Sequence, residues 1–109
     1  MTNEEFERVC FSLISASGMA KSNYIQAIQV ARGGDFDQAE ALVKQADEFL
    51  LQAHAPHTEM VQQEAAGDHI EVNILLMHAE DQMATTESFK VMAQEFIALY
   101  RERANGMGA

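Results

Sequence analysis

The chain is predicted to be all-α, an antiparallel up-down-up bundle of three long helices. Three observations predict it. Apolar residues recur at spacings of three and four through three long runs, the period of a helix face and not of a strand. One proline and six glycines among 109 residues leave those runs almost uninterrupted. Glycine and aspartate also stand together at Gly33-Gly34-Asp35 and Gly67-Asp68. At each place a helix-closing residue is followed at once by one suited to cap a new helix.

The first helix is expected over about 3–32. Phe6, Cys10, Leu13, Ser17, Ala20, Tyr24, Ala27 and Ala31 mark its inner face, and Gly33-Gly34 closes it. The second, over about 36–66, opens on Asp35 as N-cap with Gln38 placed to complete a capping box. Its stripe runs through Ala39, Leu42, Ala46, Phe49, Leu50 and Ala53 to His57, Met60 and Val61. Pro56 falls inside it and should kink the helix without ending it, because the period survives on both sides. The third is expected over about 69–103, with Asp68 as cap and Arg101 and Arg103 set against the negative end of the dipole. Residues 104–109, with Asn105-Gly106-Met107-Gly108, read as a C-cap and a frayed tail.

Length and the lack of any linker make 1–109 a single domain. Helices of that length reach about 45 Å each, so the bundle is slender. Each helix carries more apolar surface than two neighbours cover, and self-association is expected. The lone Cys10 excludes an intrachain disulfide. Seventeen acidic against seven basic side chains give a net charge of −10, which leaves no basic face for nucleic acid or anionic lipid. The acidic N-terminal MTNEEFERV is unlike a signal peptide, and no apolar run is long enough to span a membrane. The chain is expected to be cytoplasmic, without direct membrane insertion.

The chemistry-bearing stretch is LLMHAEDQM, residues 75–83. On a helical wheel centred on His78, Ile74, Leu75, Thr85, Phe89, Met92 and Phe96 fall within about 60°, with Asp81 and Gln82 at the two edges. Glu80 points roughly the opposite way. Two readings of His78 follow: a core histidine with both nitrogens satisfied, or a nucleophile or metal ligand in a partly dry pocket. His54 and His57 share a helix face, but Pro56 intervenes and no third ligand is evident. His69 is expected as first-turn polarity on the third helix, and Cys10 as a small buried hydrophobe.

Nearly the whole chain resembles the lactose/cellobiose-type IIA components of the bacterial phosphoenolpyruvate-dependent sugar phosphotransferase system. The resemblance lies in Gly18-Met19-Ala20-Lys21-Ser22, Gly34-Asp35-Phe36, Ala53-His54 with Thr58, Glu64-Ala65-Ala66-Gly67 and Glu95-Phe96-Ile97-Ala98-Leu99-Tyr100. Its most specific part is His78-Ala79-Glu80-Asp81-Gln82, similar to the family's H-A-Q-D-H. Glu80 stands where the family has Gln, Gln82 where it has a second His, and His57 where it has the Gln of Q-T.

This resemblance implies a homotrimer, a nine-helix bundle. It implies that His78 accepts a phosphoryl group from the histidine phosphocarrier protein and passes it to a cysteine of the cognate IIB component. It further implies that Asp81 and its two symmetry mates hold a divalent cation, usually magnesium, at the trimer axis. Gln82, Glu80, Ser22, Gly18 and His57 are the candidates for the surroundings of the phosphoacceptor. Two other classes of function remain to be told apart from carriage: a non-catalytic helical oligomeric adaptor, and a metal-binding bundle using His54, His57 and His69.

Overall fold

A computed structural model describes residues 1–106, so Met107, Gly108 and Ala109 of the expected tail lie outside the described residues. Three helices follow one another, α1 (Asn3–Arg32), α2 (Phe36–Ala65) and α3 (Ile74–Ala104). They pack up-down-up into a rod of 56 × 21 × 20 Å.

Local chemistry sets the ends. Thr2 and Glu5 form a capping box: the Glu5 N–H donates to Thr2 Oγ1 (3.1 Å) and the Thr2 N–H to Glu5 Oε2 (3.2 Å). Asp35 does cap α2, accepting the Gln38 N–H at 3.1 Å. The reciprocal half of that expected box is missing, because the Asp35 N–H donates instead to Val30 O (3.0 Å) and closes α1. Gly34 makes this reversal possible at φ 95°, a left-handed conformation open to a residue without a Cβ.

The second junction departs from expectation. Gly67, at φ 92°, turns the chain out of α2, and the Asp68 N–H donates to Gln63 O (3.1 Å). Asp68 therefore closes α2 but does not cap α3. Residues 69–73 remain outside any helix and α3 starts at Ile74, five residues later than predicted. Asn73 is the cap, its side chain accepting the Leu76 N–H at 2.9 Å. The competing interaction is Glu64, whose carboxylate takes both the His69 ring and the Ile70 N–H. His69 thus belongs to this loop and not to a first helical turn.

That latch has a pH window. The His69 partner lowers the Glu64 pKa, first through the side-chain hydrogen bond and then through the Ile70 N–H. Glu64 raises the His69 pKa, first by the hydrogen bond and then by charge. The Glu64 share is present above the usual carboxyl value and is lost as pH falls through the lowered one. The His69 share is present below the usual imidazole value and is lost as pH rises through the raised one. Corrected for the intrinsic rise of exchange with pH, amide exchange in residues 68–73 is therefore expected to be slowest between those limits. Glu64→Gln should remove the minimum, and an unchanged profile in that variant would refute the latch.

α1 is the central element and presents the predicted stripe. Cys10, Leu13, Ser17, Ala20, Tyr24, Ala27 and Ala31 are all buried. Ala39, Ala46, Leu50, Ala53 and Met60 of α2 close on it from one side. α2 continues through Pro56, which lacks the N–H that would pair with the Gln52 carbonyl. Tyr24 is fully buried and donates to Asp47 Oδ1 at 2.5 Å; burial, then this carboxylate, push the phenol's pKa upward.

α3 turns a different face inward from the one centred on His78. Leu76, Ala79, Met83, Thr86, Ala93 and Ile97 are buried, roughly 100° round the helix from the expected stripe. Small side chains at Ala79 and Ala93 allow close approach to α1, and the Thr86 hydroxyl meets acceptors at Gln82 O (2.7 Å) and Ser17 O (3.2 Å). α3 is apolar around so much of its circumference that periodicity alone did not select between the two faces.

α2 and α3 face each other along a polar seam. Its contacts are His57 to Glu80 (2.8 Å), His54 to Glu87 (3.0 Å), Asp47 to Lys90 (3.4 Å) and Glu40 to Arg101 (4.0 Å). Toward the Glu40 end the two helices part over a groove of about 650 Å³.

Candidate functional site

Rotation of α3 by that angle places His78 outside. Its ring is exposed, in line with Ile74, Asp81, Met92 and Phe96, which are exposed as well. The core-histidine reading is thereby overturned for the single subunit. Among the described residues, His54, His57 and His69 each pair with a glutamate, and His78 enters no such pair.

Asp81 lies less than one turn from His78 on the same outward stripe and is exposed too. A carboxylate set among outward apolar residues is an unusual placement, since covering such a face would leave its charge in need of a partner. Gln82 is half-buried at the other edge, with its backbone carbonyl taken by Thr86 Oγ1. Ala79 is fully buried beneath the pair, so α3 approaches α1 closely directly behind the stripe.

Glu80 points to the back of α3, as the wheel indicated, and meets His57 Nε2 at 2.8 Å. Two of the sequence's three departures from the resembled pattern are therefore in contact with each other. The sequence carried a signal for this: His57 and Glu80 depart together, one gaining a base and the other an acid.

Gly18 and Ser22 are elsewhere. The Thr86 hydroxyl reaches Ser17 O, so residue 17 of α1 lies level with residue 86 of α3. The two helices run the same way, which places Ser22 about 20 Å further along the bundle than His78 and Gly18 about 14 Å. Within one subunit neither surrounds the phosphoacceptor candidate. Both lie exposed on the outside of α1, and a Cβ added at Gly18 would meet nothing within 4 Å.

The other titratable groups are accounted for locally. Cys10 is buried, and burial first, then the charges of Glu80 and Glu7, raise its thiol pKa. It is a packed thiol and not a nucleophile. Among the described residues no three His, Cys, Asp or Glu side chains converge to hold a metal in one subunit. The imidazoles assigned to the metal-binding alternative each face a single carboxylate instead. No described helix is long and apolar enough to cross a membrane.

Comparison with known proteins agrees with the order of these elements. The family described as PTS system, Lactose/Cellobiose specific IIA subunit, matches residues 8–101. A PTS system lactose-specific EIIA component of Streptococcus mutans is 36% identical over 101 residues, covering 93% of this chain and 97% of its own. A lichenan-specific phosphotransferase enzyme IIA component of Bacillus subtilis is also 36% identical, over 107 residues and 98% and 97% of the two chains. The crystal structure of a PTS cellobiose-specific enzyme IIA from Bacillus anthracis superposes with a TM-score of 0.89 at 36% identity, covering 96% of this chain and 94% of that one. With helices, order and length all shared, the chain belongs to the lactose/cellobiose-specific IIA family of the phosphotransferase system.

Proposed function

We propose that this IIA component is a cytoplasmic phosphoryl carrier acting through His78. The reading rests on one observation above the rest: an exposed imidazole outside any ion pair, on an outward apolar stripe, with Asp81 one turn away. A neutral ring nitrogen attacks the phosphorus of the phosphorylated histidine phosphocarrier protein. The new N–P bond forms as the donor's N–P bond breaks, and a thiolate of the IIB component later takes the group in the same manner. Such transfers need little covalent chemistry from the protein beyond positioning and charge stabilisation. The sugar taken up is of the lactose, cellobiose or chitobiose type. Relatives named for lactose, lichenan and cellobiose are equally similar, so overall identity does not choose among them.

A phosphohistidine exposed to bulk water is short-lived, and a homotrimer supplies the missing cover. Ile74, Met77, Met92, Phe96 and Leu99 would face neighbouring subunits and keep water from His78. Gln82, at the same height, offers amide donors to the phosphoryl oxygens. A threefold axis parallel to the helices leaves each residue at its own height, so Ser22 and Gly18 have no part in this site.

The same axis accounts for Asp81. Three carboxylates brought together repel unless protons or a cation intervene, and hard oxygen donors suit magnesium better than zinc. Asp81 and its copies would hold a divalent ion whose contribution is charge neutralisation. Asp81→Leu is expected to abolish cation binding in calorimetry while leaving a trimer by sedimentation. One ion per trimer retained by that variant would sink the assignment.

The decisive experiment incubates the chain with labelled phosphoenolpyruvate and the general phosphotransferase proteins. Acid-labile, base-stable label on the chain, chased off by a IIB protein, is the expected result. A chain that stays unlabelled would instead be the helical oligomeric adaptor.

A further inference from the structure

Apolar packing ties α1 to both other helices, and a seam of polar, ionisable side chains runs between α2 and α3. The seam has a direction. At the end bearing His78, α2 supplies imidazoles and α3 carboxylates, in His57–Glu80 and His54–Glu87. Towards the other end α2 supplies carboxylates and α3 cations, in Asp47–Lys90 and Glu40–Arg101. A helix sliding or turning out of this arrangement exchanges attraction for repulsion or loses its contacts altogether.

That matters because α3 carries large apolar side chains on more than one face. One apolar face, with Leu76, Ala79 and Met83, points inward, and a second, with Ile74, Met77 and Met92, points out. At about 100° per residue the two sets lie on nearly opposite sides of the helix. Near His78 the helix has just begun, at Ile74, and the segment before it is not helical. Leu76, Ala79 and Met83 hold this part of α3 in the core, and the seam adds a restraint on the side facing α2. Glu80 lies about 200° round the helix from His78, close to its back. Its tie to His57 is the shortest in the seam at 2.8 Å, and His57 is the best-covered member of the ion pairs, with its side chain only 22% exposed.

We propose that His57 and Glu80 are positioning residues for phosphoryl transfer: together they lock the rotation of α3 so that His78 faces outward, toward its partners. The assignment rests on the reading of His78 as phosphoacceptor. It requires no contact between the pair and the phosphoryl group. A surface ion pair adds little to global stability, so its effect lies in aim, where displacements of an ångström change rates strongly.

The experiment measures two quantities on the full chain. Amide exchange of residues 76–83 reports the tie whether or not the chain carries phosphate. The rate of label transfer from the phosphorylated phosphocarrier, at varied carrier concentration, separates kcat from KM. Glu80→Ala is expected to speed exchange about tenfold. It should lower kcat about fivefold, with KM changed less than about twofold. Glu80→Gln keeps an acceptor oxygen for the His57 ring and is expected to stay within about twofold of the parent in both. The double variant His57→Ala/Glu80→Ala should be no worse than Glu80→Ala. His57→Ala reads the same tie from α2 if Glu80→Ala folds poorly.

Unchanged exchange or unchanged kcat in Glu80→Ala overturns the proposal. So does a Glu80→Gln variant as impaired as Glu80→Ala, since charge and not the tie would then be responsible. A parent chain that takes no label ends the phosphoryl reading, and positioning with it, while the exchange data still establish whether the tie exists.

Discussion

Replacing His78 by alanine is expected to abolish acid-labile labelling from the phosphorylated phosphocarrier, with no detectable transfer to a IIB protein. The physical reason is chemical identity. No other exposed imidazole stands outside an ion pair among the described residues: His54, His57 and His69 each face a glutamate. The subunit itself should hardly notice the change. His78 is exposed, and substitutions at exposed positions outside special features usually alter stability by less than about 0.5 kcal/mol. Loss of transfer with an unchanged melting midpoint is therefore the expected pair of results. Label persisting in His78→Ala would move the phosphoacceptor elsewhere.

Phe96→Glu should produce the second large effect, converting the proposed trimer into monomers at micromolar concentration in sedimentation. Phe96 belongs to the outward stripe of α3 with Ile74, which is 85% exposed, and with Met77, Met92 and Leu99. Large exposed apolar side chains gathered on one side of a helix are characteristic of an interface. Covering five such side chains contributes on the order of 10 kcal/mol per subunit, enough to exceed the cost of losing free translation and rotation. Three glutamates placed around one axis reverse the sign, because a buried carboxylate without a partner is costly. Within the subunit the stacked contact with Tyr100, at 6.4 Å between ring centroids, is lost. Helicity should persist. A variant that sediments as the parent does would remove this stripe from the assembly.

The two results together would separate chemistry from assembly. His78→Ala is expected to lose transfer while keeping the parent's mass. Phe96→Glu is expected to lose mass first and transfer as a consequence, because its phosphohistidine would stand in open water.

How much of this was legible in the chain varies by element. Most of the inner stripe of α1 could be read from the chain, because the spacing of three and four through Cys10, Leu13, Ala20, Tyr24 and Ala27 picks out one face; Ala16 is buried with them and Phe6 only partly. The stop at Gly33-Gly34 and the cap at Asp35 were legible for a similar reason: each depends on chemistry within a few residues. The start of α3 was not. Asp68 has the chemistry of a cap, but Glu64 holds the following loop through His69 and Ile70, and a cap five residues later prevails.

The candidate site divides along the same line. The sequence by itself determined that His78 and Asp81 share one helix face and that Glu80 does not, since about 100° per residue fixes such relations once a helix exists. Only the tertiary structure decided that this face points outward, that Glu80 is tied to His57, and that Ser22 lies far along the rod from His78. Angular relations within a helix are set by its own backbone. The rotation of a helix against its neighbours depends on packing and charge contributed by residues distant in the chain, and α3, apolar on more than one face, carried no local instruction to choose between them.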